Sequence, residues 1–264
     1  MNRLEQILAH KRVEVAERQQ RLPTALLEKQ ASTAPPPPSF AAALYRSSAQ
    51  PVRLIAEVKR ASPSRGVLSA NLDAAELAKT YLANGASAIS VLTDERFFNG
   101  SLDDLRRVAD LAEFPPVLCK DFILSPYQIL EARAAGAAAV LLIAACLSAD
   151  ELGELYGFTR QCGMDALIEV HTLAELEQAL VCQPAIIGVN NRDLTTFEVH
   201  LETALNLIKR IPPHVIRVAE SGIRTREDVC RLSEAGFDAL LIGESLVTSP
   251  SPAQKLRELL GREV

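Results

Sequence analysis

Residues 73–92 read DAAELAKTYLANGASAISVL, and the pattern changes at a single glycine. Up to Asn84 the residues favour a helix and follow Asp73, a side chain suited to accept from the open N–H groups of a first helical turn. Beyond Gly85 the run 86–92 is apolar, as a short buried strand would be. The glycine between them can take the left-handed backbone that ends a helix. The same join recurs at Gly136-Ala-Ala-Ala, Gly163-Met-Asp-Ala and Gly236-Phe-Asp-Ala.

Working outward, apolar runs lie at 52–58, 86–92, 116–121, 138–144, 165–170, 185–190, 215–220 and 237–243. Segments of helical period such as SLDDLRRVADLA, TLAELEQAL and TREDVCRLSEAG separate them, each opening on Ser or Thr. Strands that are apolar throughout are buried on both faces, which a parallel sheet wrapped by helices requires. Eight alternating units close into a cylinder more readily than they form an open doubly wound sheet, which has fewer strands. The expected fold is therefore α/β, a (β/α)8 TIM barrel, with the open sheet as the alternative.

Before the first run, residues 3–19 set Leu4, Ile7, Leu8 and Val15 among Glu, Lys and Arg, an amphipathic helix with a narrow apolar face. The Pro35–Pro38 run ends helical structure and marks the join to the barrel. Residues 1–264 thus read as one TIM-barrel domain, with an N-terminal helical extension and linker over 1–50 and the barrel over 51–264.

A composition of 48% apolar and 23% charged residues supports a sizeable core, and the net charge of -5 is spread without a basic block. Nothing in it attracts nucleic acid or an anionic membrane, so an anionic ligand needs a local site. The five cysteines contain no Cys-x-x-Cys pair, and His10, His171, His200 and His214 lack metal-ligand spacing. No metal is expected. Residues 1–21 are too charged for a signal peptide and no apolar segment reaches membrane-spanning length, so a cytoplasmic monomer is expected.

Charged residues at the carboxyl ends of barrel strands are read as chemistry. Here the first strand ends Ile55-Ala56-Glu57-Val58-Lys59, the third Lys120-Asp121, the fifth Glu169-Val170, the sixth Asn190-Asn191-Arg192 and the seventh Glu220-Ser221. Alternate strands share a side-chain layer, so these groups can meet around one axis. Buried singly, each would cost several kcal/mol, on the order set by lost hydration, so they must offset one another. Glu57, Glu169 and Glu220 against Lys59, Lys120 and Arg192 provide that balance. Any one of them could be a rim salt bridge, but six converging on one mouth read as a site.

Glu220-Ser221-Gly222 and Gly243-Glu244 place glycines after the seventh and eighth strands, where barrels bind phosphate through backbone N–H groups. Ser221, Gly222, Gly243 and Glu244 are the expected phosphate contacts, with Lys59 adding charge. Glu244 should serve through its backbone N–H while its carboxylate points away. Each glycine alone could simply belong to a turn. The polar loop from Ser62 to Asn71 is long enough to close over the mouth.

The motifs Ile55-Ala56-Glu57-Val58-Lys59-Arg60-Ala61-Ser62-Pro63-Ser64, Thr93-Asp94, Phe98-Asn99-Gly100-Ser101, Lys120-Asp121-Phe122, Ile168-Glu169-Val170, Val189-Asn190-Asn191-Arg192-Asp193-Leu194 and Glu220-Ser221-Gly222-Ile223 stand in that order. Together the chain resembles the indole-3-glycerol phosphate synthase family over essentially its whole length. The resemblance implies a carboxy-lyase of tryptophan biosynthesis. It would close the ring of 1-(2-carboxyphenylamino)-1-deoxyribulose 5-phosphate, lose carbon dioxide and water, and need no cofactor.

By the same resemblance Lys120 protonates the ketone oxygen as the ring carbon attacks, Glu169 is the base of the dehydration, and Lys59 contacts the anionic groups. Glu57, Asn190 and Ser221 complete the catalytic set around the ribulose hydroxyls, with Arg192 and Glu220 as substrate contacts. Ser62, Pro63, Phe98, Phe122, Leu141 and Leu194 would hold the anthranilate end, although for the apolar ones ordinary packing competes. An exposed lysine is a weak acid near neutrality, so Lys120 is expected to be lowered by burial or by Lys59. An isomerase of the preceding step would need a Cys and Asp pair where the third strand has Lys120, and a mere phosphate-binding scaffold gives no reason to bury acids and bases together.

Overall fold

A computed structural model describes residues 3–47, 50–63, 65–193 and 198–262, so Leu194 and Ser64 lie outside the described residues. Eight parallel strands close into one barrel. They are, in chain order, Arg53–Val58, Ala88–Leu92, Val117–Lys120, Ala139–Ile143, Asp165–Val170, Ile186–Asn190, Ile216–Glu220 and Ala239–Ile242. Each lies within its predicted run, and the first pairs with both the second and the eighth. A short antiparallel hairpin, Ala61–Ser62 with Gly66–Val67, follows the first strand and was not expected.

Alternation along each strand sorts side chains into two dry layers. Leu54, Ala56 and Val58 face outward into the cluster shared with the surrounding helices. Ile55 faces inward with Leu118, Leu141, Leu167, Val218 and Leu241. Because the period is two, Glu57, Lys120, Glu169 and Glu220 fall on the inward side at the carboxyl ends of their strands.

The connecting helices form where their caps predict. Asp73 accepts from Ala75 and Glu76 N–H ahead of Ala74–Ala83, and Ser148 and Thr225 form reciprocal capping boxes. Of the repeated glycines, Gly236 ends Arg226–Ala235 in the left-handed conformation, with φ of 105°.

The extension holds more structure than its sequence suggested. Helix α1 (Arg3–Arg21) is followed by α2 (Thr24–Thr33) and α3 (Phe40–Leu44), so the proline run joins α2 to α3 instead of ending the extension. Ser39 Oγ caps α3 by accepting from Ala42 N–H, and Phe40 and Leu44 are fully buried in the inward layer. Ala41 N–H donates to Asp165, the first residue of the fifth strand, which places α3 at the amino end of the barrel. Burying two such side chains stabilises by about 1.5–3 kcal/mol each. Further along the barrel wall, Leu27 and Ala31 of α2 pack with Tyr127 and Leu130.

Helix α1 lies at the opposite end, across the mouth. Its Lys11, fully buried, pairs with Asp94 at 2.8 Å and Asp121 at 2.9 Å, residues that follow the second and third strands. Asp121 also accepts from Thr93 Oγ1 at 2.8 Å. One cation between two buried carboxylates thus fixes the helix to the strand end that carries Lys120. Replacing Lys11 with Met leaves both acids unpaired and should cost about 3–5 kcal/mol in urea denaturation. The exposed Lys79–Glu76 pair provides the contrast, since Lys79→Ala should stay within about 0.5 kcal/mol of wild type.

Candidate active site

At the carboxyl end of the barrel one cavity gathers residues from every strand end. Glu57, Lys59, Ser62, Pro63, Phe98, Lys120, Phe122, Leu141, Glu169, Asn190, Arg192, Glu220, Ser221, Gly222, Gly243 and Glu244 all line it. Every described residue expected from the sequence is therefore brought together. The strand order sets the apolar residues across the ring from the glycine loops, with Phe98 and Phe122 following strands two and three, Leu141 within strand four, and the glycine loops following strands seven and eight.

Charge is arranged around Lys120. Its ammonium stands 3.7 Å from Glu169 Oε2 and 3.6 Å from Glu220 Oε2, and both carboxylates are 1% exposed. At the end of the first strand, Lys59 Nζ meets Glu57 Oε1 at 2.6 Å. Burial alone would lower the Lys120 pKa, but the carboxylates of Glu169, Glu220 and Glu57 outweigh it and hold the lysine above its usual range. This corrects the expectation of a lowered Lys120, because the three acids balanced against it on the same layer outweigh its burial.

The carboxylates differ from one another. Burial pushes Glu57 up, yet Lys59 and Lys120 bring it below the ordinary carboxylate range. Burial and the charge of Glu169 push Glu220 well above that range, beyond what Lys120 offsets. The site thus contains carboxyl groups of opposite tendency within one layer, the arrangement that separates acid from base.

Arg192 Nη2 lies 3.6 Å from Glu244 Oε2, and its charge also helps to hold Glu57 below the ordinary carboxylate range. The Glu244 carboxylate sits among Arg65 at 3.1 Å, Arg192 at 3.6 Å and Arg224 at 3.7 Å, so guanidinium groups offset its charge. Arg65 belongs to the loop after the first strand, which this pair ties to the end of the adjacent eighth strand. Pro63 O accepts from Arg3 Nη2 at 2.8 Å, a second tie from that loop to α1.

Two glycines are needed for a reason unrelated to anion approach. A Cβ at Gly188 would stand 2.2 Å from Glu220 Oε1, and one at Gly243 would stand 2.3 Å from Glu57 Oε1. The barrel makes room for its inward carboxylates by omitting a side chain on the adjacent strand. Ser221 and Gly222 both have positive φ, 65° and 80°, so the chain turns sharply where the seventh strand meets the cavity.

Sequence reasoning missed Leu4, Ile7, Asp94, Asp121, Arg224 and Ser245, which also line the cavity. The apolar face of α1 was visible, but not that Leu4 and Ile7 reach the site. Arg224 carried a signal, since it lies two residues after Gly222 in the same loop.

Comparison with known proteins decides the family. The family model described as indole-3-glycerol phosphate synthase matches residues 4–259. The chain belongs to the indole-3-glycerol phosphate synthase family. It is 51% identical over 265 residues to the indole-3-glycerol phosphate synthase of Roseiflexus sp. (strain RS-1), covering 98% of each chain. To the indole-3-glycerol phosphate synthase of Dehalococcoides mccartyi (strain CBDB1) it is 48% identical, covering 97% of this chain and 99% of the relative. Among solved structures it is similar to 3-hexulose-6-phosphate synthase from Salmonella typhimurium, with a TM-score of 0.65 at 11% identity, over 80% of this chain and 97% of the other. That likeness shows the shared barrel fold alone.

The glycine argument predicts opposite outcomes for two alanine substitutions. Gly188→Ala overpacks the barrel against Glu220 and should cost about 1–3 kcal/mol in chemical denaturation. An added Cβ at Gly153, within helix Ala149–Gln161, meets nothing within 4 Å, and Gly153→Ala should stabilise by up to about 1 kcal/mol.

Proposed function

We infer that the chain acts as an indole-3-glycerol phosphate synthase, a carboxy-lyase of tryptophan biosynthesis, and that the whole chain works as one domain with its extension. It converts 1-(2-carboxyphenylamino)-1-deoxyribulose 5-phosphate to indole-3-glycerol phosphate with loss of carbon dioxide and water. The observation that carries the assignment of roles is Lys120, an ammonium held between Glu169 and Glu220 in a cavity with apolar residues on one side and glycine loops on the other.

In the first stage the ring carbon that bears the carboxylate attacks the ketone, and negative charge develops on its oxygen. Lys120 stands ready to donate a proton there. Its raised pKa does not prevent this, because an alkoxide is a far stronger base than an amine, on the scale where water itself sits near ~15.7. The transfer becomes favourable as the carbon–carbon bond forms, and before that the ammonium stabilises the developing charge in a site of low dielectric. Departure of carbon dioxide then returns an electron pair to the ring and restores its aromaticity.

Dehydration follows, with Glu169 taking the proton released as the hydroxyl leaves and Lys59 beside Glu57 able to protonate that hydroxyl. Asn190, Ser221 and Glu220 orient the ribulose chain. Phe98 and Phe122, whose ring centres are 6.3 Å apart, face the anthranilate end with Leu141, Ser62 and Pro63. The phosphate lies at Ser221, Gly222, Gly243 and the Glu244 backbone, with Lys59 adding charge. Arg192 and Arg224, gathered on Glu244, are placed to transfer to the phosphate when it arrives.

No helix among the described residues is long and apolar enough to cross a membrane. A cytoplasmic location fits an enzyme of biosynthesis whose cysteines are unpaired. A monomer is supported by exposed large apolar side chains that come from separate segments, among them Val13, Leu26, Tyr45, Val67 and Phe114. Sedimentation velocity should give a single species near 28.6 kDa.

The assay is formation of indole-3-glycerol phosphate, followed by absorbance and fluorescence. Lys120→Ala and Glu169→Gln should each lower kcat by about 10²–10⁴-fold with the fold intact. Full activity in both variants overturns the assigned roles.

A further inference from the structure

Beyond the cavity lining, one ionisable group stands against the proposed base. His171 is the first residue after the fifth strand, two positions beyond Glu169. Its backbone N–H donates to Glu175 Oε2 at 2.7 Å, and its ring Nδ1 lies 3.1 Å from the same oxygen. Glu175 is itself fixed at the start of helix Leu173–Val181, where Thr172 Oγ1 donates to its other oxygen at 3.1 Å. A carboxylate only accepts, so the proton on Nδ1 is assigned by this partner. The orientation turns Nε2 inward, 3.5 Å from Glu169 Oε1.

We infer that His171 is a positioning residue for Glu169, held by Glu175 so that its imidazolium keeps Glu169 the ionised member of the buried Glu169–Glu220 pair. The inference rests on the reading of Glu169 as the base. Two carboxylates this close and this buried do not both stay charged, and the pair retains a proton. Where that proton sits decides whether the base can act.

Lys120 stands between the two acids, 3.7 Å from Glu169 and 3.6 Å from Glu220. His171 adds a second cation on the Glu169 side alone. The proton is therefore held on Glu220, whose carboxyl is pushed up by burial and by the neighbouring charge of Glu169.

The ring is in a position to be charged. The acidic groups facing it are Glu175 and Glu169 and, from the segment after the sixth strand, Asp193. Burial lowers its pKa, but these carboxylates raise it above the usual imidazole range. The carboxylates thus favour the charged ring, and the cation is lost as the pH rises through that raised value. A Glu–His–Glu line then runs from a half-buried residue on a surface helix to the inside of the barrel.

The test measures kcat and KM across pH for wild type, His171→Asn and His171→Gln. Removing the cation should move the acid limb of kcat up by about one pH unit, a loss of about 10-fold at fixed pH on that side. KM should change by less than about 2-fold. His171→Lys, which restores a positive charge, should return the limb most of the way. Acid limbs that overlay wild type in both neutral variants overturn the proposal, as does an equal loss at every pH.

A readout independent of turnover is the imidazole titration by NMR in the full chain. The His171 pKa should be elevated in wild type and should fall in Glu169→Gln, and an unchanged titration overturns the coupling. Absence of synthase activity in wild type would instead sink the functional reading, while the titration would still report on the pair.

Discussion

Acids buried in an apolar cylinder have to be offset where they stand, and the mouth of this barrel is organised by that requirement. Glu57, Glu169 and Glu220 are 4%, 1% and 1% exposed, and no carboxylate survives such burial as an anion without a partner. Lys120 answers two of them and Lys59 the third. The same compensation that makes the acids tolerable holds Lys120 as a cation and drives the carboxyl groups apart in their affinity for protons. Stability and chemistry therefore draw on one set of contacts.

Several features away from the reacting groups follow from the same requirement. Gly188 and Gly243 leave space on adjacent strands for the side chains of Glu220 and Glu57. A second compensated cluster, Lys11 with Asp94 and Asp121, repeats the principle one step outward and secures α1 over the opening. A third surrounds Glu244 with Arg65, Arg192 and Arg224, and ties together the loops after the first, sixth, seventh and eighth strands. The extension in turn closes the barrel at both ends, with Leu4 and Ile7 in the cavity and Phe40 and Leu44 at the amino end.

The eight strands, their parallel order and the carboxyl-end location of the site were legible in the sequence because each depends on local periodicity and on the sign of charge at strand ends. Glu57, Lys120, Glu169 and Glu220 could be grouped in advance because alternation in a strand is strict, so an acid two residues from a core position faces the same way. The order of the motifs made the family resemblance specific. Extension helices α2 and α3 were less legible, since the proline run masked a short helix whose apolar residues have no meaning until the barrel bottom exists.

What the sequence by itself determined is which residues point inward, because that follows from a period of two and from burial on both faces. Tertiary structure alone decided who faces whom. Lys120 was expected to be lowered and is raised, because the balance depends on three strands that are distant in the chain. The charge of Glu244 is offset by arginines that come from loops after the first, sixth and seventh strands, a grouping no local stretch of sequence displays. Electrostatic coupling depends on distances of a few ångströms, and those distances are set only when the cylinder closes.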